Sequence, residues 1–329
     1  MSKNVALAAD GNAAALKAEN KKSFWKQVKN QKTLILLSIP FVVYVIIFCY
    51  VPLVGWIMAF QNYKPAKGLL NSEFVGLDKF KRLFGVAPFP KNDVFLGVIR
   101  NTLAMGLINL VLGTVCAIAF AILLSEFRSR GGKKVIQTIS YLPHFLSWVI
   151  VAGIVFDVLS MENGMLNKLL VGLGIVDKGV NWLAEPKYFW WIVAFTNLWK
   201  ETGWNSIIYL AAITSINPDL YEAASIDGAG RLSRIWHITL PGLKPTILIL
   251  LIMNVGNVLN AGFDIQYLLG NGLVQRYSQT IDIYVLKYGI SQGDYSIGTA
   301  AGIFKSLVSI ILIFLANRTA KAMGEEHLF

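Results

Sequence analysis

Asn197, Glu201 and Asn205 recur at every fourth position of an otherwise apolar stretch, so on a helix they share one stripe, with Lys200 beside it. Asn254, Asn257, Asn260 and Asp264 fall within an arc of about 120° if that stretch is helical at about 100° per residue. Lys305, with Ser306 and Ser309, interrupts a third apolar run, and Asn109 a fourth. Polar groups are costly in lipid unless they face protein or water, so they mark either a water-filled path or contacts between helices. Amides and hydroxyls along a path can hydrogen-bond the hydroxyls of a polar solute, and Trp199, Trp204 and Phe263 can stack on its flat faces. The competing use is adhesion between helices, which Asn and Ser also serve. For the asparagines the two uses weigh equally. Lys200 and Glu201 better fit an ion pair or anchors near a helix break, and His144, next to Pro143, fits a hydrogen bond at a kink.

Nothing here assembles into a catalytic centre. The G-x-x-x-x-G-K-[ST] pattern of a nucleotide-binding loop is absent: Gly132-Lys133 has Phe127 where the first glycine belongs and Lys134 where the hydroxyl belongs. No His/Cys cluster has metal-ligand spacing and no nucleophile sits near a base, so neither a metal nor a cofactor is expected on this chain. Cys49 and Cys116 fall inside apolar runs and read as small core residues.

The elements that must carry these groups are membrane spans. Of 329 residues, 55% are hydrophobic and 15% charged, where a soluble domain would be about a quarter charged. Six stretches have the length to cross a hydrocarbon core: 33–60, 101–125, 135–156, 188–216, 246–263 and 295–317. An all-α polytopic membrane protein of about six helices is expected. Pro40 and Pro52 predict kinks in the first span. The tail before Thr33 holds seven lysines, and the connection 125–134 holds Arg128, Arg130, Lys133 and Lys134. Their bias puts both termini and the 218–245 loop in the cytoplasm. The division expected is a cytoplasmic tail over 1–32, a transmembrane region over 33–318 and a second cytoplasmic tail over 319–329. The net charge of +11 is then mainly a topology signal, and no interleaving of basic and aromatic residues suggests nucleic acid.

One polar segment between apolar runs is distinctive: PDLYEAASIDGAGRLSRIWHITLP, from Pro218 to Pro241. Pro218 and Asp219 suit a helix start, and Glu222 to Ile226 continue it. Gly228 and Gly230 end or bend it, and Pro241 and Pro245 stop a second short piece. Small residues at Ala223, Ala224 and Gly228 allow another surface to approach closely.

The spacing Glu222-Ala223-Ala224, Gly228, Ile238, Leu240-Pro241 resembles the EAA loop of bacterial ABC importer permeases, and Asp227 and Ala229 fit the variant of sugar permeases. The segment Phe74 to Phe80 looks like the one preceding the core helices in carbohydrate permeases of the MalF type. Trp199 to Ile216 looks like the subgroup handling oligosaccharides, including uronic-acid ones such as alginate or pectin fragments. The resemblance implies a multi-pass subunit of the bacterial cytoplasmic (inner) membrane, surrounded by membrane lipid. It implies a second homologous permease subunit, two ATP-binding cassette subunits that use ATP and Mg, and an extracytoplasmic solute-binding protein. It also implies alternating access, coupled through Glu222, Ala223, Ala224, Asp227, Gly228, Ala229 and Pro241 to the ATPase. The alternative class is an ion-gradient-driven secondary transporter with Asp264, Glu201 and Lys305 as coupling groups, which leaves the 218–241 segment unexplained.

Overall fold

The computed structural model describes residues 30–322, so the expected tails lie almost wholly outside the described residues. The chain divides between Ile57 and Met58 into two units. In the first, helix α1 (Lys32–Val45) contains Pro40, and a π-helical turn follows over Ile46–Tyr50. A 3-10 stretch, Val51–Phe60, continues from it into the second unit. The irregular part brackets Pro52, which has no N–H for the carbonyl of Phe48 and whose ring crowds that carbonyl. Pro40, by contrast, is accommodated within regular helix.

The second unit opens with a two-residue antiparallel pairing, β1 (Gln61–Asn62) on β2 (Glu73–Phe74), with Gln61 opposite Phe74. Short helix α2 (Asp78–Phe84) ends on Gly85 at φ +64°. Helix α3 (Asp93–Ser125) then runs 33 residues from an Asn92 cap whose side chain accepts the Phe95 N–H. It begins eight residues before the apolar run that announced it.

The expected span 135–156 is not one rod. Helix α4 (Arg130–Tyr141), a 3-10 turn at Leu142–Phe145 and helix α5 (Trp148–Leu159) form a pair bent by 103°. Pro143 ends the first piece, and Ser147 starts the second by accepting the Ile150 N–H at 3.3 Å. Helix α6 (Met165–Gly172) lies in the following loop, whose hub is Asn167. Its amide donates to the carbonyls of Ser160 and Val180, and its oxygen accepts from Val180 and Trp182.

Helix α7 (Pro186–Thr214) is continuous through Lys200 and Glu201 and packs most extensively on α3. After it come α8 (Pro218–Ile226) and α9 (Arg231–Arg234), a π-helical turn at Ile235–Thr239 and α10 (Leu240–Gly256). The expected span 246–263 therefore ends early, at Gly256. Helices α11 (Asp264–Leu269), α12 (Gln275–Ser278) and α13 (Ile281–Tyr284) fold the next connection, and α14 (Tyr295–Ala322) closes the bundle. Among the described residues, four helical segments are long and apolar enough to cross a membrane, or five if the bent pair counts as one span. The 29-residue α7 has the length but carries a polar stripe.

Three apolar clusters line up along α3. One joins Phe95 and Val98 to Ile281 and Ala300, one joins Met105 to Val151 and Phe189, and one joins Ala117 and Ala121 to Tyr209 and Leu243. Backbones approach closely where a side chain is missing. A Cβ on Gly106 would lie 2.0 Å from the Val258 carbonyl oxygen, and one on Gly203 would lie 2.1 Å from that of Ser140. Such close approach through small residues is how helices gain dispersion contacts in lipid, where apolar transfer gives little.

Candidate functional site

A cavity of about 310 Å³ lies between α3, α7 and the end of α10. Its lining includes Asn109, Asn205, Asn254, Asn257 and Asn260, with Tyr209 beneath them. A smaller one, about 150 Å³, shares Asn109 and Asn205 and adds Asn197, Glu201 and Thr202. The stripe Asn197–Glu201–Asn205 is thus a cavity wall.

The second set converges for a different reason from the one expected. Asn254 is on α10, but Asn257 is its C-terminal cap and Asn260 lies in the irregular segment beyond. Helical periodicity does not align them. The chain turns at Gly256, where a Cβ would strike the Ile313 side chain at 2.1 Å, and the turn carries the later asparagines to the same opening. Asp264 begins α11 and is absent from both linings.

The amides fall into two groups. Asn257 donates back to the Met253 carbonyl at 3.1 Å and accepts from Asn260 at 3.0 Å, while Asn197 donates to the Val193 carbonyl at 3.0 Å. Asn109, Asn205 and Asn254 make no side-chain hydrogen bond among the described residues. Their donors and acceptors are free for water or a solute, since an unmet amide is tolerated only where something polar reaches it.

The aromatic residues expected to stack on a solute do not line these cavities. Trp204 stacks on the His144 ring at 4.3 Å, and Phe263 stacks on Tyr267 at 5.2 Å. Trp199 is absent from the linings, and Tyr209, which the sequence did not single out, is the aromatic ring present in the larger one. The available signal was spacing, since Tyr209 continues the Asn197, Glu201, Asn205 stripe by four further positions on α7.

The charged groups are occupied structurally. Lys200, 4% exposed, donates to the carbonyls of Pro143 and His144 at the helix break and lies over the Trp148 ring. Glu201 meets Lys200 at 3.4 Å and His144 Nδ1 at 2.7 Å. Lys305 is held by both Asp282 oxygens, at 2.6 and 2.8 Å.

The polar segment after α7 is built as a rigid knob. Asn217 caps α8 by accepting the Asp219 N–H at 3.0 Å. At the other end Gly228 sits at φ +77°, with its N–H on the Ser225 carbonyl and the Ala229 N–H on that of Ala224 at 2.8 Å. This paired closure around a left-handed glycine is the Schellman arrangement. Arg234 bonds back to Ser225 at 2.9 Å and Tyr221 to Thr239 at 3.0 Å, tying the knob to the start of the next span. Glu222, Ala223, Asp227, Gly228 and Pro241 are exposed, Ala224 and Ala229 half-buried. Leu220, Ile226, Leu232 and Trp236 expose apolar surface on the same segment.

The family model described as binding-protein-dependent transport system inner membrane component matches residues 109–324, a stretch that includes α7, the knob and α10. The chain belongs to this family. The permease is 42% identical over 318 residues to the polygalacturonan/rhamnogalacturonan transport system permease protein YteP of Bacillus subtilis, covering 97% of each chain. It is 41% identical to LplB of the same organism, covering 97% of this chain and 98% of that one. The trehalose/maltose permease MalF of Thermococcus litoralis is 29% identical over 85% of the permease and 91% of its own length. Among solved structures, a bacterial ABC transporter involved in the import of the acidic polysaccharide alginate matches with a TM-score of 0.82 and 37% identity. That match covers 91% of the permease and 99% of the other chain. A second structure of such a transporter, in complex with an alginate pentasaccharide-bound periplasmic protein, matches at 0.83. The permease is a membrane transport subunit, and ATP hydrolysis belongs to separate chains.

Proposed function

We infer that the permease is one membrane subunit of an ATP-driven, binding-protein-dependent importer of acidic oligosaccharides, of the kind released from pectin or alginate. The observation that carries this is likeness over nearly the whole chain to YteP and to the alginate importer subunit, coupled with a cavity walled by free amides. Neutral amides suit the hydroxyl-rich body of a sugar.

A second homologous permease completes the pathway, and two ATP-binding cassette subunits holding ATP and Mg sit below it. An extracytoplasmic binding protein delivers the solute. The knob from Pro218 to Pro241 seats in an ATPase groove, with both termini on the same, cytoplasmic side. Closing of the ATPase dimer moves α8 as a rigid body and turns the cavity outward; hydrolysis returns it inward. Coupling of this kind is a difference in affinity between two states, carried by an element that both sites bias. The rigidity of α8, closed at both ends by its caps, supports that role.

An ion-gradient mechanism finds little support in the charged groups. Lys305 is paired with Asp282, Glu201 with Lys200 and His144, and Asp264 stands away from the cavities. Uptake of trigalacturonate into proteoliposomes carrying the full complex tests the reading. It should require internal ATP and the binding protein and survive ionophores. Uptake that persists without ATP and collapses with the ion gradient would refute it.

A further inference from the structure

A second cavity, of about 810 Å³, opens at the other end of α3. Arg100, Asn101, Gln275, Arg276 and Gln279 provide most of its polar lining, and Asp93 is the acid among them. Asp93 is matched by Lys91 at 3.2 Å. Neither arginine has a carboxylate partner among the described residues. Two guanidiniums in one cavity repel each other until an anion joins them, so this is a site with its positive charge unspent.

The framework that places them is rigid. Asn101, 1% exposed, donates to the carbonyls of Arg276 at 2.9 Å and Gln279 at 3.1 Å. Trp190 Nε1 donates to the Tyr277 carbonyl at 3.0 Å, so the segment 276–279 is fastened to both α3 and α7. Arg100 lies over Tyr277 at 4.7 Å and Trp190 at 5.5 Å and donates to Asn101 Oδ1 at 3.1 Å. Its guanidinium is oriented before any ligand arrives, which removes part of the ordering cost of binding. The Arg276 side chain makes no hydrogen bond among the described residues, and its backbone alone is fastened.

We propose that this cavity is an entry subsite for a carboxylate of the acidic oligosaccharide, held by Arg100 and Arg276 before the chain reaches the amide-lined cavity. A planar guanidinium fork matches a carboxylate in two parallel hydrogen bonds, which neither an amide nor a lysine reproduces. Asn101 and Asn109 stand on the same helix with about 12 Å of rise between them, so one oligosaccharide reaches from this subsite to the next. The inference rests on the oligosaccharide reading above and adds where the acid group is recognised. The same carboxylate chemistry could come from acidic side chains of a docking binding protein, and the experiment separates the two.

Uptake kinetics of trigalacturonate and of its methyl ester are measured on the complete reconstituted transporter, wild type and Arg276→Gln. Arg276→Gln should raise KM for trigalacturonate about tenfold and leave kcat and the ester unchanged. In a second arm, Arg276→Cys in a Cys49→Ser, Cys116→Ser background is treated with a cationic ethylammonium or an anionic ethylsulfonate thiosulfonate reagent. The cationic adduct, a point charge without the fork, should recover part of the trigalacturonate KM loss, and the anionic one none of it. Equal loss for acid and ester, or no difference between the adducts, would overturn the proposal and assign the arginines to a protein surface. A wild type that imports neutral oligosaccharides and rejects trigalacturonate would overturn it too, with the oligosaccharide function intact. ATP-dependent uptake of no oligosaccharide at all would instead overturn the function itself.

Discussion

Glu201 and His144 meet at 2.7 Å across the break between α4 and α5, although 57 positions separate them in the chain. Lys200 reinforces that junction from beneath by donating to the Pro143 and His144 carbonyls. A break between helices leaves backbone carbonyls without helical partners; here the buried ammonium serves that of His144 and adds to the Leu146 N–H on that of Pro143. Replacing it should damage the fold before it damages recognition. Lys200→Met should destabilise the assembled transporter by about 1–3 kcal/mol, seen as a lower thermal inactivation midpoint. Unchanged thermal behaviour with lost uptake would place Lys200 in the pathway instead.

Close approach at Gly203 leads to a second expectation. A methyl group there meets the Ser140 carbonyl oxygen, so Gly203→Ala should force α4 and α7 apart and cost about 1–3 kcal/mol. Gly153→Ala, with open space around its Cβ position, is the matched control and should be near neutral. Similar melting of the two variants would mean the crossing is looser than its geometry.

The two groups of cavity amides should respond differently. Asn205→Ala and Asn254→Ala remove free amides and should raise KM by up to about tenfold each, at unchanged thermal stability. Asn257→Ala removes a group bonded to Met253 and Asn260 and should lower stability by about 0.6 kcal/mol. Uptake and melting measured on the same preparations decide which quantity moves.

Much of this was legible in residue order, and the failures have physical causes. The stripe on α7 was readable because Asn197, Glu201 and Asn205 keep one helical period within an unbroken helix. The knob was readable because caps, glycine and proline act locally. Asn254, Asn257 and Asn260 line one opening, but not through the helical arc expected of them. Gly256 is stopped by Ile313 on another helix, and no local signal reports a contact between distant segments. Pro143 signalled a kink, yet the 103° bend also carries contacts from Lys200, far along the chain, to the carbonyls at the break. Lys305 looked like a lone charge only because Asp282 reaches it through the fold.

Orientation can be tested by reaction of introduced cysteines with an impermeant thiol reagent, given exposed sites. With the 218–245 loop expected in the cytoplasm, the loops before α3 and after α10 are expected outside; Ser72 and Ser278 there are buried, whereas Leu70 and Leu273 are exposed. With Cys49 and Cys116 replaced by Ser, Leu70→Cys and Leu273→Cys should label from outside, and Leu232→Cys only after the membrane is opened. The reverse pattern would remove the knob from the ATPase side.

The central claim is that the segment from Pro218 to Pro241 couples the cavity to ATP hydrolysis, and Gly228 gives the most direct access to it. Its φ of +77° suits glycine, and Asn is the residue that best tolerates the same conformation. Nothing in this chain crowds its Cβ position, so within the chain a side chain there meets backbone strain alone, least for Asn, and any further effect of bulk falls on a partner surface. The deciding measurement is binding-protein-stimulated ATP hydrolysis by the reconstituted complex carrying Gly228→Asn or Gly228→Asp. Both variants should insert and melt only slightly below wild type, by about 1 kcal/mol of strain, while stimulation falls to the basal rate. Full stimulation in both would contradict the account.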